Sequence, residues 1–543
     1  MNDHLRAQNS LLRAQNRAMM QAMASRSNNR AIMSPENVND LQLENALLRS
    51  ERDTLVCFIA RVILCRSIFA PTASTSTWLF QAAVMIELAV REVLSLARHE
   101  IPMQTNNMWT NSNKLNLSGY YSNFFPWYAR NAPGFVHEAS RASSDLVHVE
   151  ASTLVTTLMD IERWPEIFPS IVAGAATELH HRRFQTINMD FMPLISPSTE
   201  TRNVKLLRCS KLIENNMWVI ADISVYFTSY EQHLRPKFMR FPSGYLVERI
   251  ANGRSRVTVI DHWVYKEEEG IHFFDPNSGF GAHRWLAALH RHYSSDCFNL
   301  SLSMGHHIQM FDPVCHTNLL NLARRMVYLF WTGVFGMTRQ GWRWVRTVQN
   351  PINRFRMCTQ ESRDMNGVPC ILVSATGMGR MLVRMETIFD LINNETLEKK
   401  EIWEYLEPYG EVKELVRLIR GRSPGNIVSL FSIKERTGSK ESVFIQETYY
   451  DSSSAMIIHS CLEASSLAAV FISGDISNAH LLPCGITITR GNEAQGHLLC
   501  ANYQVITNQP AAASSVEMVT SLQKLIDNTL RNVRMRHSLS LPS

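Results

Sequence analysis

One stretch of the sequence has the spacing of a catalytic serine. Gly421-Arg-Ser-Pro-Gly425 matches G-x-S-x-G, the turn that exposes the nucleophile of α/β-hydrolases. That turn needs a strand before the serine and a backbone N–H directly after it, to bind the oxyanion. Residues 413–420 are predicted to form a helix and residues 426–430 a strand, and Pro424 has no N–H to donate. The sequence therefore predicts no serine hydrolase here.

Metal and cofactor chemistry is not indicated elsewhere in the sequence. The histidine clusters are His180-His181, His290-x-His292 and His306-His307, and none has a glutamate or cysteine at a known metal-ligand spacing. We interpret them as surface or structural histidines. Ten cysteines without any C-x-x-C indicate reduced thiols in an intracellular protein. Since there is also no P-loop and no dinucleotide fingerprint, the chain is predicted to need no metal or cofactor and not to be an enzyme.

The positive charge is concentrated at the N-terminus. Fifty-four basic and 49 acidic side chains give a formal charge of +5 over 543 residues. Residues 1–30 contain five arginines against Asp3 alone, so they hold +4 of that charge. The rest of the chain is close to neutral, which argues against a large basic surface for nucleic acid.

One aromatic and basic cluster interrupts this neutral region. Its residue types can stack on nucleic acid or anchor at a membrane surface, but a packed amphipathic helix is the favoured interpretation. The most apolar early run, 55–70, contains two arginines and is too short to span a bilayer, and no signal peptide is expected. We therefore expect a nuclear or cytoplasmic protein without stable membrane insertion. The cluster consists of Trp331, Trp342, Trp344, Arg339, Arg343 and Arg346.

The first 65 residues have a seven-residue period. Leu-Arg-Ala-Gln-Asn at 5–9 recurs at 12–16, and the period resumes after Ser34-Pro35. Such a period is typical of a coiled coil, in which asparagines at a positions hold two helices in one register. An amphipathic helix that packs on its own domain is the alternative, but four aligned heptads favour dimerisation. The predicted dimerisation residues are Leu5, Asn9, Leu12, Asn16, Met19, Leu41, Asn45, Leu48, Leu55 and Val62.

Two similar successions of strands and a helix follow. Alternation over 217–227 predicts a strand whose odd positions face a core and whose Asp222 lies on the opposite face. Phe241-Pro-Ser-Gly244 opens another strand, Asn252-Gly253 predicts a hairpin, and a helix with Trp285 in its apolar stripe comes next. Leu482-Pro-Cys-Gly485 opens the same order again, which ends in a helix at 515–536. This weak repeat predicts a second copy of the fold.

With these motifs the sequence resembles the plant class IV homeodomain-leucine zipper (HD-ZIP IV) family. Its members join a homeodomain, a zipper-loop-zipper, a START lipid-binding domain and a START-associated C-terminal domain. The resemblance covers nearly the whole chain and rests on the order of five motifs. These are LENALLR at 43–49, TLMDIERWPEIFP at 157–169, MWVIAD at 217–222, GFGAHRW at 279–285 and SVEMVT at 515–520.

The resemblance implies an α+β fold: an N-terminal split coiled coil, a START helix-grip domain and a START-associated, START-like C-terminal domain. In a helix-grip fold a curved antiparallel sheet wraps a long C-terminal helix and encloses an apolar tunnel. The expected limits are 1–65 for the zipper-loop-zipper, 66–78 for a linker, 79–303 for the START domain, 304–365 for a connecting helical segment and 366–537 for the C-terminal domain.

The sequence departs from the family pattern in two places. It contains no Trp-Phe-x-Asn-Arg recognition helix, so DNA contact is expected only through a partner chain. The zipper loop at 24–37 lacks the cysteine pair that many members carry, so redox control of dimerisation is not expected.

By the same resemblance, the START domain is expected to bind a lipid or sterol. A ligand gains about 0.8 kcal/mol for each CH₂ group that leaves water, so the tunnel needs apolar walls and few polar groups. The candidate ligand-binding residues are Arg202, Asp222, His262 and, as part of a lid helix at 282–300, Trp285. Each has a structural alternative: an exposed edge for Arg202, the outer face of the sheet for Asp222, and the core for His262 and Trp285.

The resemblance therefore implies a nuclear transcriptional regulator. It would dimerise through its zipper, either with itself or with full-length family members, and bind a hydrophobic small molecule. A lipid carrier or sensor unrelated to DNA is the alternative.

Overall fold

The chain divides into two compact units, Met1–Ala70 and Pro71–Ser543, and the fold described here belongs to the second. The predicted dimerisation residues, Ser423 and His306-His307 lie outside the residues that the computed structural model describes. These are residues 75–98, 135–146, 149–192, 202–214, 216–225, 238–250, 253–266, 281–293, 313–349, 354–364, 367–394, 409–420, 425–435, 441–477, 479–491, 496–509 and 512–540, with 14, 115–116, 120 and 124.

Within the described residues, eight antiparallel strands form a first sheet. Their order is β1-β8-β7-β5-β4-β3-β2, and β6 lies beside β8. The hairpin between β7 and β8 turns at Gly253, which has a φ of +66°, as Asn252-Gly253 predicted. The strands are β1 (Phe135–Leu146), β2 (Val172–His180), β3 (Gln185–Phe191), β4 (Arg202–Glu214), β5 (Met217–Ser224), β6 (Phe238–Arg240), β7 (Ser243–Ile250) and β8 (Arg254–Lys266).

Helices cover both faces of this sheet. Helix α4 (Ala282–Tyr293) packs on β1 and β8, and its apolar stripe, including Trp285, joins the core on what we call the inner face. Two short helices, α2 (Ala151–Met159) and α3 (Trp164–Ile167), contribute to the same core. Helix α1 (Thr75–Ala97) packs on β5 and β7 from the opposite, outer face. The sheet is therefore buried on both sides.

Strand β5 confirms the predicted strand but corrects its facing. Ile220 belongs to the inner core, and Asp222, two residues further on the same face, is fully buried. The apolar residues Val219 and Ala221 lie on the other face, which α1 covers. The prediction that Asp222 lies on the outer face was wrong: Asp222 lies on the inner face. Both faces of the sheet are buried, and alternation alone does not distinguish them.

The second part of the unit repeats the order of the first. Its nine-stranded sheet has the order β12-β13-β14-β15-β16-β17-β11-β10-β9. The run β11-β17-β16-β15-β14-β13-β12, followed by a C-terminal helix, has the same order as β1-β8-β7-β5-β4-β3-β2 followed by α4. This confirms the predicted second copy, to which β9 and β10 add an extra edge. The strands are β9 (Arg343–Gln349), β10 (Arg354–Arg363), β11 (Pro369–Met381), β12 (Tyr409–Ile419), β13 (Ile427–Glu435), β14 (Glu441–Tyr450), β15 (Ser454–Leu462), β16 (Cys484–Thr489) and β17 (His497–Thr507).

Helices again cover both faces of the second sheet. α6 (Met385–Asn394) and α8 (Val516–Ser540) pack on the inner face of this copy. α5 (Pro313–Phe335) and α7 (Ala464–Ser473) pack on the outer face. The outer face also meets Ala173 of the first domain, so a continuous core joins the two domains.

Two sequence predictions are corrected in this region. Residues 413–420, predicted as helix, lie in β12 and the residue after it. β13 follows directly, so the G-x-S-x-G segment connects two antiparallel strands and not a strand to a helix, as a hydrolase elbow requires. The segment 304–365 was expected to be a connecting helical segment; its described residues contain the helix α5, but they also contain β9 and β10, which belong to the second sheet.

The tryptophan and arginine residues that are close in sequence at 331–346 do not form one cluster in the structure. Trp331 in α5 and Trp342 after it are buried in the core. Trp344 lies on β9, where the guanidinium carbon of Arg356 is 3.7 Å from its ring centroid. Arg339 forms an ion pair with Asp190 of the first domain. The cluster is therefore divided among a helix, a turn and an edge strand.

The repeated Pro-x-Gly signature has the same steric origin in both copies. Gly244 on β7 has a φ of +146°, and a Cβ there would lie 1.9 Å from the carbonyl oxygen of Ile220 on β5. At Gly485 on β16 a Cβ would lie 2.6 Å from the carbonyl oxygen of Ile457 on β15. Each glycine lies near the start of its strand, β7 in the first copy and β16 in the second. Because it has no side chain, the neighbouring strand, β5 or β15, can approach closely at that point.

Polar side chains are also buried between α1 and the outer face of the first sheet. Glu92 on α1 is 6% exposed and accepts a hydrogen bond of 2.5 Å from the hydroxyl of Tyr120. Burial raises the pKa of Glu92 to about 8, although this hydrogen bond opposes the shift.

His262 is buried near the same tyrosine. The centroid of its ring lies 5.2 Å from that of Tyr120 and 4.9 Å from that of Phe241. Burial, with His137 nearby, lowers the pKa of His262 well below its ordinary value, so His262 is a neutral core residue.

We predict that Gly244→Ala strongly destabilises the first domain. A backbone overlap of this kind is expected to cost about 3 kcal/mol or more, which lowers the Tm by roughly 6 °C or more. Gly367→Ala is the control, because Gly367 also has a positive φ but no atom within 4 Å of its added Cβ. Scanning calorimetry should give a shift of only about 2 to 4 °C for this control. Equal shifts would contradict the steric explanation.

We also predict that Glu92 makes stability fall as the pH rises. Its folded pKa of about 8 exceeds its ordinary value of 4.5, so the unfolded chain releases this proton first and the free energy of unfolding decreases between these values. From pH 5 to pH 8 the loss is expected to be about 3 kcal/mol. Urea unfolding of Glu92→Gln should lack this loss, whereas Glu87→Gln, at a partly exposed site on the same helix, should retain it.

Candidate ligand site inside the first sheet

Aromatic rings line the inner face of the first sheet beneath α4. The ring centroid of Trp285 lies 5.6 Å from that of Trp164 and 6.2 Å from that of Phe191. Trp263 stacks between Phe191 and Phe238, with centroids 4.3 Å from each. These contacts come from α3, α4 and three strands, because alternation places every second residue of each strand on this face. The result is an apolar interior of the type that binds hydrophobic ligands.

A buried ion pair lies within this aromatic layer. Nη1 of Arg240 is 3.1 Å from Oδ1 of Asp261, and both residues are about 1% exposed. The guanidinium carbon of Arg240 is 4.9 Å from the Trp263 ring centroid and 5.0 Å from that of Trp285, at cation–π distance from both. Burial raises the pKa of Asp261 to about 6, while Arg240 and a hydrogen bond of 3.0 Å from Trp263 Nε1 oppose that rise.

A second ion pair lies at the α2 and α3 side of the same interior. Nη1 of Arg208 is 2.5 Å from Oδ1 of Asp222, and both side chains are fully buried. Arg208 also donates from Nη2 to the carbonyl oxygen of Leu158 at 2.8 Å and lies 4.2 Å from the Trp164 ring centroid. Since β4 and β5 pair in register at these residues, the backbone itself places the two charges opposite each other.

Several buried polar atoms of this interior have no hydrogen-bond partner in the described residues. A buried polar atom without a partner costs about 1 to 3 kcal/mol. Both donors and acceptors are present, so a hydroxyl or a similar small polar group could bind here without burying a net charge. Burial also raises the pKa of Tyr245, which keeps its hydroxyl as a donor. The atoms are the Tyr245 hydroxyl, Oδ2 of Asp222 and Asp261, and Nε of Arg208 and Arg240.

The four residues proposed from the sequence occupy different places. Asp222 and Trp285 lie in this interior, and Arg202 lies at its margin with its guanidinium carbon 4.2 Å from the Phe238 ring centroid. His262 is on the outer face against α1, so the structure does not bring it to the other three. Whether any of them touches a ligand stays a prediction.

Sequence reasoning missed Arg208, Arg240, Tyr245 and Asp261. The available signal was a charged residue between two apolar residues of the same strand face. Asp261 follows Val259 and precedes Trp263 on the inner face, and Arg208 follows Val204 and Leu206. A charge at such a position must be paired when it is buried, so a second buried charge of opposite sign is expected on a neighbouring strand.

Neither a metal site nor a membrane-spanning helix is found in the described part of the chain. It contains no group of three or more histidine, cysteine, aspartate or glutamate side chains placed to hold a metal ion. None of the described helices has both the length and the hydropathy needed to cross a bilayer.

Comparisons with known proteins agree with the two-domain description. The family model of the START domain matches residues 103–295, and that of the PDF2-like C-terminal domain matches residues 313–539. Among solved structures, human StAR-related lipid transfer protein 5 is 14% identical, with 38% of this chain and 94% of that chain covered and a TM-score of 0.25.

Curated relatives are plant homeobox-leucine zipper proteins. ANTHOCYANINLESS 2 of Arabidopsis thaliana is 29% identical over 490 residues, which are 84% of this chain and 60% of that protein. HDG1 of the same plant is 29% identical over 494 residues, which are 82% of this chain and 59% of that protein. The chain thus spans about 60% of the length of these relatives. It consists of a START domain followed by a PDF2-like C-terminal domain and is a member of the plant homeodomain-leucine zipper START-domain family.

Proposed function

We propose that the chain is a non-enzymatic, nuclear transcriptional regulator that binds a lipid or sterol inside its START domain. The observation that carries the ligand proposal is the pair of buried Arg–Asp contacts in an otherwise aromatic interior. Apolar walls favour the hydrocarbon part of a ligand, and the unpartnered polar atoms around Tyr245 favour one small polar end. The regulatory role is inferred from the homeobox-leucine zipper relatives.

The ligand proposal can be tested by replacing one ion pair with apolar residues of similar size. Arg240→Met with Asp261→Leu removes both charges together, and such a change is often neutral for stability. Removal of only one partner would leave the other as an uncompensated buried charge and would destabilise the fold. We expect native mass spectrometry to detect uptake of dehydroergosterol, ceramide or phosphatidylcholine by the full chain. The double variant should bind at least about tenfold more weakly, because about 1.4 kcal/mol of polar contact suffices for that change.

Arg256→Met with Asp145→Leu is the matched control. This pair also joins β8 to one of its neighbouring strands, β1, with an N–O distance of 2.9 Å, but both of its side chains are partly exposed to solvent. Its replacement should leave uptake unchanged. If the wild-type chain takes up none of the three probes, or if both double variants bind like the wild type, the interior is not the ligand site.

The regulatory proposal depends on dimerisation through the zipper at 1–65. Light scattering should give a dimer for the wild type and a monomer for Leu12→Pro with Leu48→Pro, because proline breaks both predicted helices. The chain alone should not shift duplex DNA at physiological salt, and adding it to a homeobox-leucine zipper relative should weaken that protein's binding to DNA. Loss of one half-site contact could cost several kcal/mol.

A lipid carrier or sensor unrelated to DNA is the second candidate. The same START interior favours it, and only the partner experiment separates the two functions. A chain that binds a lipid probe but leaves the DNA binding of the relative unchanged would be a carrier or sensor. A monomeric wild type would contradict the zipper hypothesis.

A further inference from the structure

Helix α4 is buried on two opposite faces. Residues Trp285 and Leu289 point to the inner core of the START domain. Ala287 and Arg291, on the other side of the helix, face the outer surface of the second sheet. In a START domain that stood alone, this second face would meet solvent. Here the C-terminal domain covers the helix that closes the ligand interior.

The contact on this second face is mainly polar. Arg291 donates from Nε and Nη2 to the two carboxylate oxygens of Glu447, at 2.8 and 2.9 Å. Arg420 donates from Nη1 to the same carboxylate at 2.6 Å and from Nη2 to the backbone carbonyl of Arg291. All three residues are less than 8% exposed. The C-terminal domain therefore holds both the side chain and the backbone of the last turn of α4.

Further contacts reach backbone groups of the same helix. The hydroxyl of Tyr449 donates to the carbonyl oxygen of Ala287 at 3.2 Å. Arg324 on α5 donates to the carbonyl oxygen of His292 at 2.5 Å. The carbonyl of His292 is in the last turn of the helix and has no partner within it, so Arg324 satisfies it, whereas Tyr449 adds a second bond to a carbonyl in the middle of the helix. Together the contacts hold the C-terminal end of α4 from three elements, β12, β14 and α5.

The middle of the helix is held more loosely. A small solvent-open cleft lies beside Ala287, between α4 and the strands of the second sheet, and the Tyr449 hydroxyl reaches across it to the Ala287 carbonyl. Close apolar packing is therefore limited there, and the polar contacts at the helix end carry more of the attachment.

A single carboxylate balances this cluster of cations. Arg291 and Arg420 contact Glu447 directly, and Arg324 also acts on it electrostatically. Although burial favours the neutral acid, these arginines hold the pKa of Glu447 below its ordinary value. Removal of this one charge would leave buried guanidinium groups facing each other, and such uncompensated charges are strongly unfavourable.

We propose that the C-terminal domain is a latch on the START domain: Glu447 holds α4 over the ligand interior, and release of this contact is the step that admits or frees the ligand. The latch rests on the proposed ligand-binding function. By linkage, a ligand that binds only when α4 has moved would weaken the domain contact by the same free energy by which that contact weakens the binding of the ligand.

The test is amide hydrogen exchange of the full chain, with and without Glu447→Gln, followed on peptides from 282–293 and from 75–98. We expect exchange in α4 to become at least tenfold faster, while α1, which makes no contact with Glu447, keeps its wild-type rate. Glu361→Gln is the matched control, since Glu361 pairs with Arg343 in the same domain at an exposed position. Release of bound dehydroergosterol should accelerate at least tenfold in the first variant only.

A milder variant covers the case in which Glu447→Gln does not fold. Arg291→Lys keeps the charge but loses the two-pronged geometry, so it should accelerate α4 exchange to a smaller extent. Unchanged α4 exchange in both variants, or equal acceleration of α1 and α4, would overturn the latch. Equal probe release despite faster α4 exchange would also overturn it. A wild type that binds no probe would instead refute the proposed ligand function, and α4 exchange would still decide whether the contact holds the helix.

Discussion

The burial of α4 on both faces is the constraint on which the two domains depend. A helix that closes a single domain can leave its outer face to water, and its charged residues there cost little. Arg291 lies on that outer face but is buried against the second sheet, so its charge needs Glu447. A buried positive charge of the START domain is therefore neutralised only by a carboxylate of the C-terminal domain. The shared core formed by α5 and Ala173 has the same consequence for apolar packing.

In the described part of the chain, buried arginine–carboxylate contacts occur at three places, and stability alone does not account for them. Desolvation of a guanidinium and a carboxylate offsets most of their attraction, so a well-packed apolar pair would often be as stable. Two of the pairs, Arg208–Asp222 and Arg240–Asp261, lie inside the START domain, and the third set surrounds Glu447 between the domains. Ion pairs of this kind are directional, so they fix where the polar groups that contact them, such as those of the neighbouring domain, must lie.

The fold was predictable where local signals agree with tertiary structure. The hairpin at Gly253 and the repeated Pro-x-Gly order led to the correct strand succession in both domains. β12 was mistaken for a helix because Val412, Leu415, Val416 and Ile419 have helical spacing. The pairing of β12 with β13 shifts register between Glu414 and Val416, which displaces the strand alternation into that pattern. The facing of Asp222 and the pairing of Arg240 with Asp261 depend on which helix covers each face, and short-range patterns do not contain that information.

The two copies have the same strand order but different interiors, and this difference separates their roles. In the second copy, a Cβ on Gly377 of β11 would lie 2.0 Å from Cγ2 of Ile526, so α8 lies directly against the sheet. The hydroxyls of Tyr503 and Thr529 are hydrogen-bonded to each other at 2.6 Å. In its described part this inner face contains no buried arginine–carboxylate pair; Glu447 lies on the outer face, toward α4. The described residues of this inner face therefore offer no charged pair to a ligand, whereas an outer face with a buried carboxylate is suited to hold another domain. The two copies thus share one strand order, but their buried ion pairs lie on the inner face of the first sheet and on the outer face of the second.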